Sequence, residues 1–209
     1  VLRDWYLSQF YPVTSTMELD GLMGFRLTPA DDATAVESNR LVGFRASDPD
    51  SAAANAAMAR WFQSKGDLRF ALDLLDGALA ARPDEAGADP FFLGTLVEVL
   101  VDLGEMERAG EVFAGWPPGD RSRVYWMAKG RVEQEVLDLP AEAAEAYEEA
   151  LRSLPGPIDW RTMHRAATCH ARSGNGARAA ELRARAGELE GMMDEKAHAG
   201  LRRALVRLD

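Results

Sequence analysis

The chain has 209 residues, 47% of them hydrophobic, and a formal net charge of -10. The negative charge argues against general affinity for nucleic acid, and no apolar run reaches the roughly 18 residues that a membrane span needs. The single cysteine, Cys169, excludes an internal disulfide.

The sequence pattern predicts helices paired along the chain, with almost no alternating runs typical of strands. Residues 2–11 are predicted to form a helix that Pro12 stops. The predicted pairs are 16–27 with 30–46, 51–65 with 67–81, 89–103 with 105–115, 121–137 with 140–153, and 159–173 with 176–192, before a further helix at 194–208.

Local signals mark several of these boundaries. Asp48 is expected to cap a helix whose first turn contains Pro49, Leu139-Pro140 is expected to open another helix, and Asp159 is expected to cap a helix beginning at Trp160. Short segments rich in Pro, Gly and Asp at 83–88, 116–120 and 154–158 predict turns between helical pairs.

A turn signal recurs within these pairs at a nearly constant spacing. Three turn glycines are each followed five positions later by an alanine and seven positions after that by another small or apolar residue: Gly66, Ala71, Ala78; Gly104, Ala109, Trp116; and Gly174, Ala179, Ala186. Ala143 and Ala150 repeat the end of the pattern. A period of about 35 residues indicates stacked helical hairpins.

These residues resemble the tetratricopeptide repeat (TPR) family, in which helices cross at small residues and a proline closes each repeat. Residues 52–85 fit best, with Ala59 and Phe62 in the first helix, the turn at Gly66, and Pro83 at the end. The later repeats are degenerate, since the third lacks a turn glycine. The resemblance implies an all-α, right-handed helical-hairpin solenoid. We expect N-terminal helices or a cap at 1–50, about four repeats at 51–192, and a C-terminal helix at 193–209 that starts another repeat.

The resemblance also implies a function: a non-catalytic scaffold that binds a protein or peptide in a concave groove. The groove is lined by the first helix of each hairpin, at the aligned positions Arg60, Gln63, Glu98, Asp102, Arg131, Gln134, Arg161, His164 and Arg172. We expect Arg60, Arg131 and Arg172 to face one surface and to bridge an acidic partner. Ala56 and Arg60 depart from the carboxylate clamp with which some members of the family hold a peptide C-terminus.

No residue pattern favours catalysis, a metal or a cofactor. His164, Cys169 and His170 are the only group of metal-capable side chains, and they lack the paired spacing of a zinc site. Nucleophile motifs and phosphate-binding glycine loops are missing from the sequence. We therefore expect no enzyme activity.

Other functions stay open at this point. The chain begins and ends in the middle of a helical pattern, so we expect a fragment of a longer protein. Its 21 arginines against 3 lysines favour a bacterial source. Within the longer protein, the fragment could be an architectural spacer or an oligomerisation module. The sequence does not indicate a cellular compartment, and the cytoplasm is only the default expectation. Residues 156–209 carry ten basic and seven acidic side chains, so their arginines could instead bind an anionic ligand or the acidic end of another copy. The basic set is Arg178, Arg183, Arg185, Arg202, Arg203 and Arg207.

The first predicted helix carries an aromatic cluster: Trp5, Tyr6, Phe10 and Tyr11. We interpret these side chains as packing on neighbouring helices, and the alternative is that they anchor a binding partner.

Overall fold

The computed structural model describes residues 41–153 and 160–206, with side chains up to residue 191. The predictions for the helix at 2–11, for its aromatic side chains and for most of the first helical pair lie outside the described residues. So does Asp159, the expected cap.

Helices make up most of the described ranges, and no strand occurs in them. Residues 41–47 are helical. The helices that follow are α1 (Ala52–Ser64), α2 (Leu68–Ala81), α3 (Pro83–Ala88), α4 (Pro90–Leu103), α5 (Met106–Ala114), α6 (Arg123–Glu135), α7 (Pro140–Arg152), α8 (Trp160–Arg172) and α9 (Gly176–Val206).

The helices pack as successive hairpins. Helix α1 packs on α2, α4 on α5, α6 on α7, and α8 on α9. The hairpins stack on one another, because α1 also contacts α4, α4 contacts α6, and α7 contacts α8. The architecture is a TPR-like helical solenoid, which confirms the predicted fold class.

The turn glycines adopt the backbone conformation for which glycine is favoured. Gly66, Gly104 and Gly174 have φ angles of 84°, 81° and 86°, in the left-handed region that a Cβ atom disfavours. The third hairpin lacks such a glycine and turns instead through a longer loop, in which Asp138 takes a φ of 54°. Aspartate tolerates this region better than most residues do, which explains how the degenerate repeat still closes.

The recurring alanines lie where two helices cross. The aligned alanines are at most 1% exposed, as the repeat pattern predicts: Ala71, Ala109, Ala143 and Ala179. Larger residues fill the remaining space, and Leu75 and Tyr147 are fully buried. Small residues at the crossings let the helices approach closely enough to exclude water.

Two of the predicted boundaries are wrong. The segment 83–88 is not a turn but the short helix α3, which begins at a proline and carries acidic residues in its first turn. Asp48 does not cap a helix, because α1 begins later, with Ser51 accepting a hydrogen bond from the Ala54 amide at 3.3 Å. Asp48 instead forms an ion pair with Arg82, at 2.7 Å.

One prediction about helix ends agrees with the structure and one differs. Trp116 lies in the predicted turn at 116–120, after α5 ends at Ala114, and its indole N–H donates to Asp120 Oδ2 at 2.8 Å. The break expected between 192 and 194 is absent, since α9 runs through it without a proline or cap. The further repeat proposed after residue 193 stays a prediction.

Buried apolar side chains form two clusters among the described residues. The first core extends from Leu41 to Val132 and joins the first two hairpins to α6. The second core extends from Ala143 to Ala186 and joins α7, α8 and α9. The boundary between the two cores therefore passes through the third hairpin.

Candidate functional site

The predicted groove residues all lie on first helices of the hairpins. Helix α1 carries Arg60 and Gln63, α4 carries Glu98 and Asp102, α6 carries Arg131 and Gln134, and α8 carries Arg161, His164 and Arg172. Their positions follow from the stacking of α1, α4 and α6, which places equivalent turns of successive first helices beside one another.

Hydrogen bonds and ion pairs connect several of these side chains, and we call this set the groove network: Gln63, Glu98, Asp102, Arg131 and Arg165. The Gln63 amide donates to Asp102 at 2.7 Å, and Arg131 forms an ion pair with the same carboxylate. Arg131 Nε also lies 3.5 Å from Glu98 Oε2. The network reaches every first helix from α1 to α8.

Arg165 completes the groove network, and the repeat alignment does not single it out. Its guanidinium binds Glu98 through two parallel hydrogen bonds of 2.7 and 3.1 Å. Arg165 lies four residues after Arg161 and seven before Arg172, so the three arginines share one face of α8. This charge pattern could have identified Arg165 from the sequence. The paired geometry explains the choice of arginine, because only its planar fork meets a carboxylate in this way.

The environment of Glu98 keeps its side chain ionised although it is only 14% exposed. Burial by itself raises the pKa of the Glu98 carboxyl, but the charge and hydrogen bonds of Arg165, with the charges of Arg131 and Arg60, outweigh it. The pKa of Glu98 is therefore below its usual range. The carboxylate is held as an anion between two guanidinium groups.

Beside the groove network, a buried tyrosine joins α7 to α6. The Tyr147 hydroxyl donates to the Gln134 side chain at 2.9 Å. Its ring covers Gly130, where an added Cβ atom would lie 2.7 Å from the nearest ring carbon. Burial raises the pKa of Tyr147, so the hydroxyl stays a neutral donor. Gln134 is thus held in place by a contact inside its own hairpin.

The remaining predicted residues lie apart from the groove network. The Arg60 guanidinium is 5.8 Å from the centre of the Phe91 ring. Arg161 lies 5.0 Å from the Trp160 ring, and His164 Nε2 lies 3.9 Å from the Glu190 carboxylate. Arg172 forms an ion pair with Asp138, in the loop of the preceding hairpin. Arg60 and Arg172 therefore make their contacts outside the groove network, whereas Arg131 lies within it, and a common surface for the three arginines stays a prediction.

The histidine and cysteine side chains of α8 are used in packing and pairing. Cys169 is fully buried, and burial raises the pKa of its thiol to about 11. His170 Nε2 lies 2.9 Å from Glu148, and Arg178 of α9 donates to the same carboxylate at 2.8 Å. In the described parts of the chain, no group of three or more His, Cys, Asp or Glu side chains is placed to hold a metal ion. No helix there is long and apolar enough to cross a membrane.

Comparisons with known proteins relate the chain to others by fold. No family model matches it, and no curated protein does. A structure of Pseudomonas aeruginosa PilF is 20% identical, with a TM-score of 0.54, over 84% of this chain and 84% of that one. A structure of MamA (41-end) from Desulfovibrio magneticus RS-1 is 16% identical, with a TM-score of 0.51, over 78% of this chain and 87% of that one. Both are TPR-like helical repeats, and at these identities the likeness shows the fold alone.

Proposed function

We propose that the chain is a non-catalytic scaffold that binds a protein or peptide segment along the face formed by α1, α4, α6 and α8. The observation that carries the proposal is the groove network. Five polar side chains from four successive first helices are aligned by mutual contacts, and three of those helices are stacked directly on one another. A continuous polar line of fixed geometry is suited to an extended or helical segment.

The charges within the groove network largely neutralise one another, and this supports a ligand with few charges in its middle part. Two arginines face two acidic residues of α4, so the central part of the groove offers little net charge. Arg60 remains exposed at one end, and Arg161 and Arg172 are exposed at the other. We propose a ligand with acidic groups near its two ends and polar, neutral groups between them.

A selection experiment tests this proposal with peptides in place of the natural partner. Peptides of random sequence are displayed and selected on the purified chain, and the affinity of a selected peptide is measured by fluorescence anisotropy. Arg60→Glu reverses a charge in the proposed groove, while Arg183→Glu makes the same change at an exposed position of α9. We expect Arg60→Glu to raise the dissociation constant of the selected peptide about tenfold, which is a loss of about 1.4 kcal/mol in binding free energy.

Several outcomes separate the proposal from its alternatives. Equal affinity for wild type and Arg60→Glu would place the ligand elsewhere. Weaker binding by Arg183→Glu alone would favour an anion-binding surface on α9. Failure to select any peptide, together with concentration-dependent association of the chain in light scattering, would favour an oligomerisation module.

A further inference from the structure

The ion pair between Glu98 and Arg165 joins hairpins that are not neighbours. Glu98 belongs to α4 in the second hairpin and Arg165 to α8 in the fourth, 67 residues further along the chain. The third hairpin lies between them in sequence, and α8 packs mainly on α7 and α9. The two hydrogen bonds therefore form a direct link across the groove, past α6.

The same ion pair crosses the boundary between the two apolar cores. Glu98 lies on a helix of the first core, and Arg165 lies on a helix of the second. Contacts across this boundary are concentrated at α6, where Met127 packs against the second core and Tyr147 packs on Gly130. Packed bodies can rotate against each other about such a shared element while each keeps most of its own packing.

The third hairpin supplies a pivot for this rotation. The Tyr147 ring rests on the backbone of α6 at Gly130, without an intervening side chain on that residue. Its hydroxyl is fixed by Gln134 at 2.9 Å. A flat ring on a bare helix surface holds α6 and α7 at one distance, while the first and second cores lie on either side of it.

We propose that the Glu98–Arg165 ion pair is a latch that sets how far the groove is open. With the pair formed, the second and fourth hairpins are held together on the groove side. With the pair broken, the two cores rotate about the third hairpin and the first helices α1 and α8 move apart. A ligand that competes for either charge would thereby widen the groove in which it binds.

The distance between α1 and α8 measures the state of the latch. Spin labels are placed by Ser64→Cys at the end of α1 and Ala171→Cys near the end of α8, both at exposed positions. Cys169 is fully buried, and labelling of the parent chain checks that it stays unmodified. Double electron–electron resonance then gives the distance distribution in the absence of any ligand.

Two variants remove the latch from opposite sides. Glu98→Gln and Arg165→Gln should each lengthen the mean distance by roughly 2 Å or more, the scale of interface shifts in switching proteins, and broaden the distribution. Arg69→Gln is the matched control. It breaks the 3.2 Å ion pair with Glu105 between neighbouring hairpins, at a side chain that is 74% exposed, and should leave the distribution unchanged.

Circular dichroism distinguishes opening from unfolding. If Glu98→Gln loses helix content, Arg165→Gln decides the result, because Glu98 then keeps Arg131 as a partner. An unchanged distribution in a folded variant overturns the latch. Loss of helix content in both variants also overturns the latch, because the ion pair would then stabilise the folded helices themselves and not the angle between the two cores. The result does not depend on the proposed ligand.

Discussion

Gly130→Ala tests whether the third hairpin depends on the close approach of Tyr147 to α6. The new Cβ atom would lie 2.7, 2.8 and 3.0 Å from three ring carbons of a fully buried tyrosine, so the ring must move and the hydrogen bond to Gln134 must lengthen. Overpacking of this kind costs roughly 1–3 kcal/mol, and the better helix propensity of alanine returns up to about 1 kcal/mol.

The matched control separates these two contributions. Gly77 lies inside α2 and is exposed, and an added Cβ atom there would meet nothing within 4 Å. Gly77→Ala should therefore show only the gain in propensity. The two variants should differ by roughly 1–3 kcal/mol, or about 2–12 °C in melting temperature for a chain of this size.

Thermal unfolding followed by circular dichroism measures both variants, and a double-mutant cycle assigns the cause. In a Tyr147→Leu background the ring is gone, so Gly130→Ala should cost much less than it does in the wild type. A melting temperature of Gly130→Ala equal to that of Gly77→Ala would refute the packing argument. An equal cost of Gly130→Ala with and without the tyrosine ring would refute it as well.

Three other predictions address the helix crossings, the groove network and the cysteine. Ala71→Leu should destabilise the chain by roughly 1–3 kcal/mol in urea unfolding, whereas Ala80→Leu on the exposed face of the same helix should change little. Because the pKa of Glu98 is lower in the folded state than in the unfolded state, the stability it contributes is present at neutral pH and is lost as the pH falls through that lowered pKa. The difference in unfolding free energy between wild type and Glu98→Gln should therefore shrink from pH 7 to pH 3, and a constant difference would show that ionisation is not involved. Cys169 should resist a thiol reagent at pH 8 and react once the chain unfolds, since burial raises the pKa of the thiol to about 11; rapid reaction of the native chain would contradict this.

The fold could be predicted because its main signals are local and repeat. A glycine with positive φ and a buried alanine five residues later serve the same purposes in each hairpin, and Gly66 with Ala71 shows both. Recurrence makes up for the weakness of each single motif. The same reasoning failed at 83–88, where a proline and two acidic residues start a short helix although the composition is typical of a turn.

The contacts of the groove could not be predicted in the same way. Repeat alignment places Arg131 and Asp102 on first helices, but it does not show that they bind each other across 29 residues of sequence. Arg165 lies outside the aligned positions and still forms two hydrogen bonds to Glu98 within the groove network. Such ion pairs depend on how the stacked hairpins curve, and no local sequence pattern determines that curvature.

The pairing of charges in the groove also determines which arginines a partner can use. Removing Arg131 would take one ion-pair partner from Glu98, which keeps Arg165, and one from Asp102, which keeps the Gln63 amide, so the links between α4 and α6 would be lost. Arg60 is exposed and lies against an aromatic ring, so a ligand can reach it without breaking an ion pair of the groove network. Substitution of Arg131 would therefore disturb the scaffold itself, and substitution of Arg60 is the change that isolates binding. We therefore propose unequal roles for the three arginines: Arg131 holds neighbouring first helices together, Arg172 pairs with Asp138, and Arg60 is the one that a ligand could reach without breaking an ion pair.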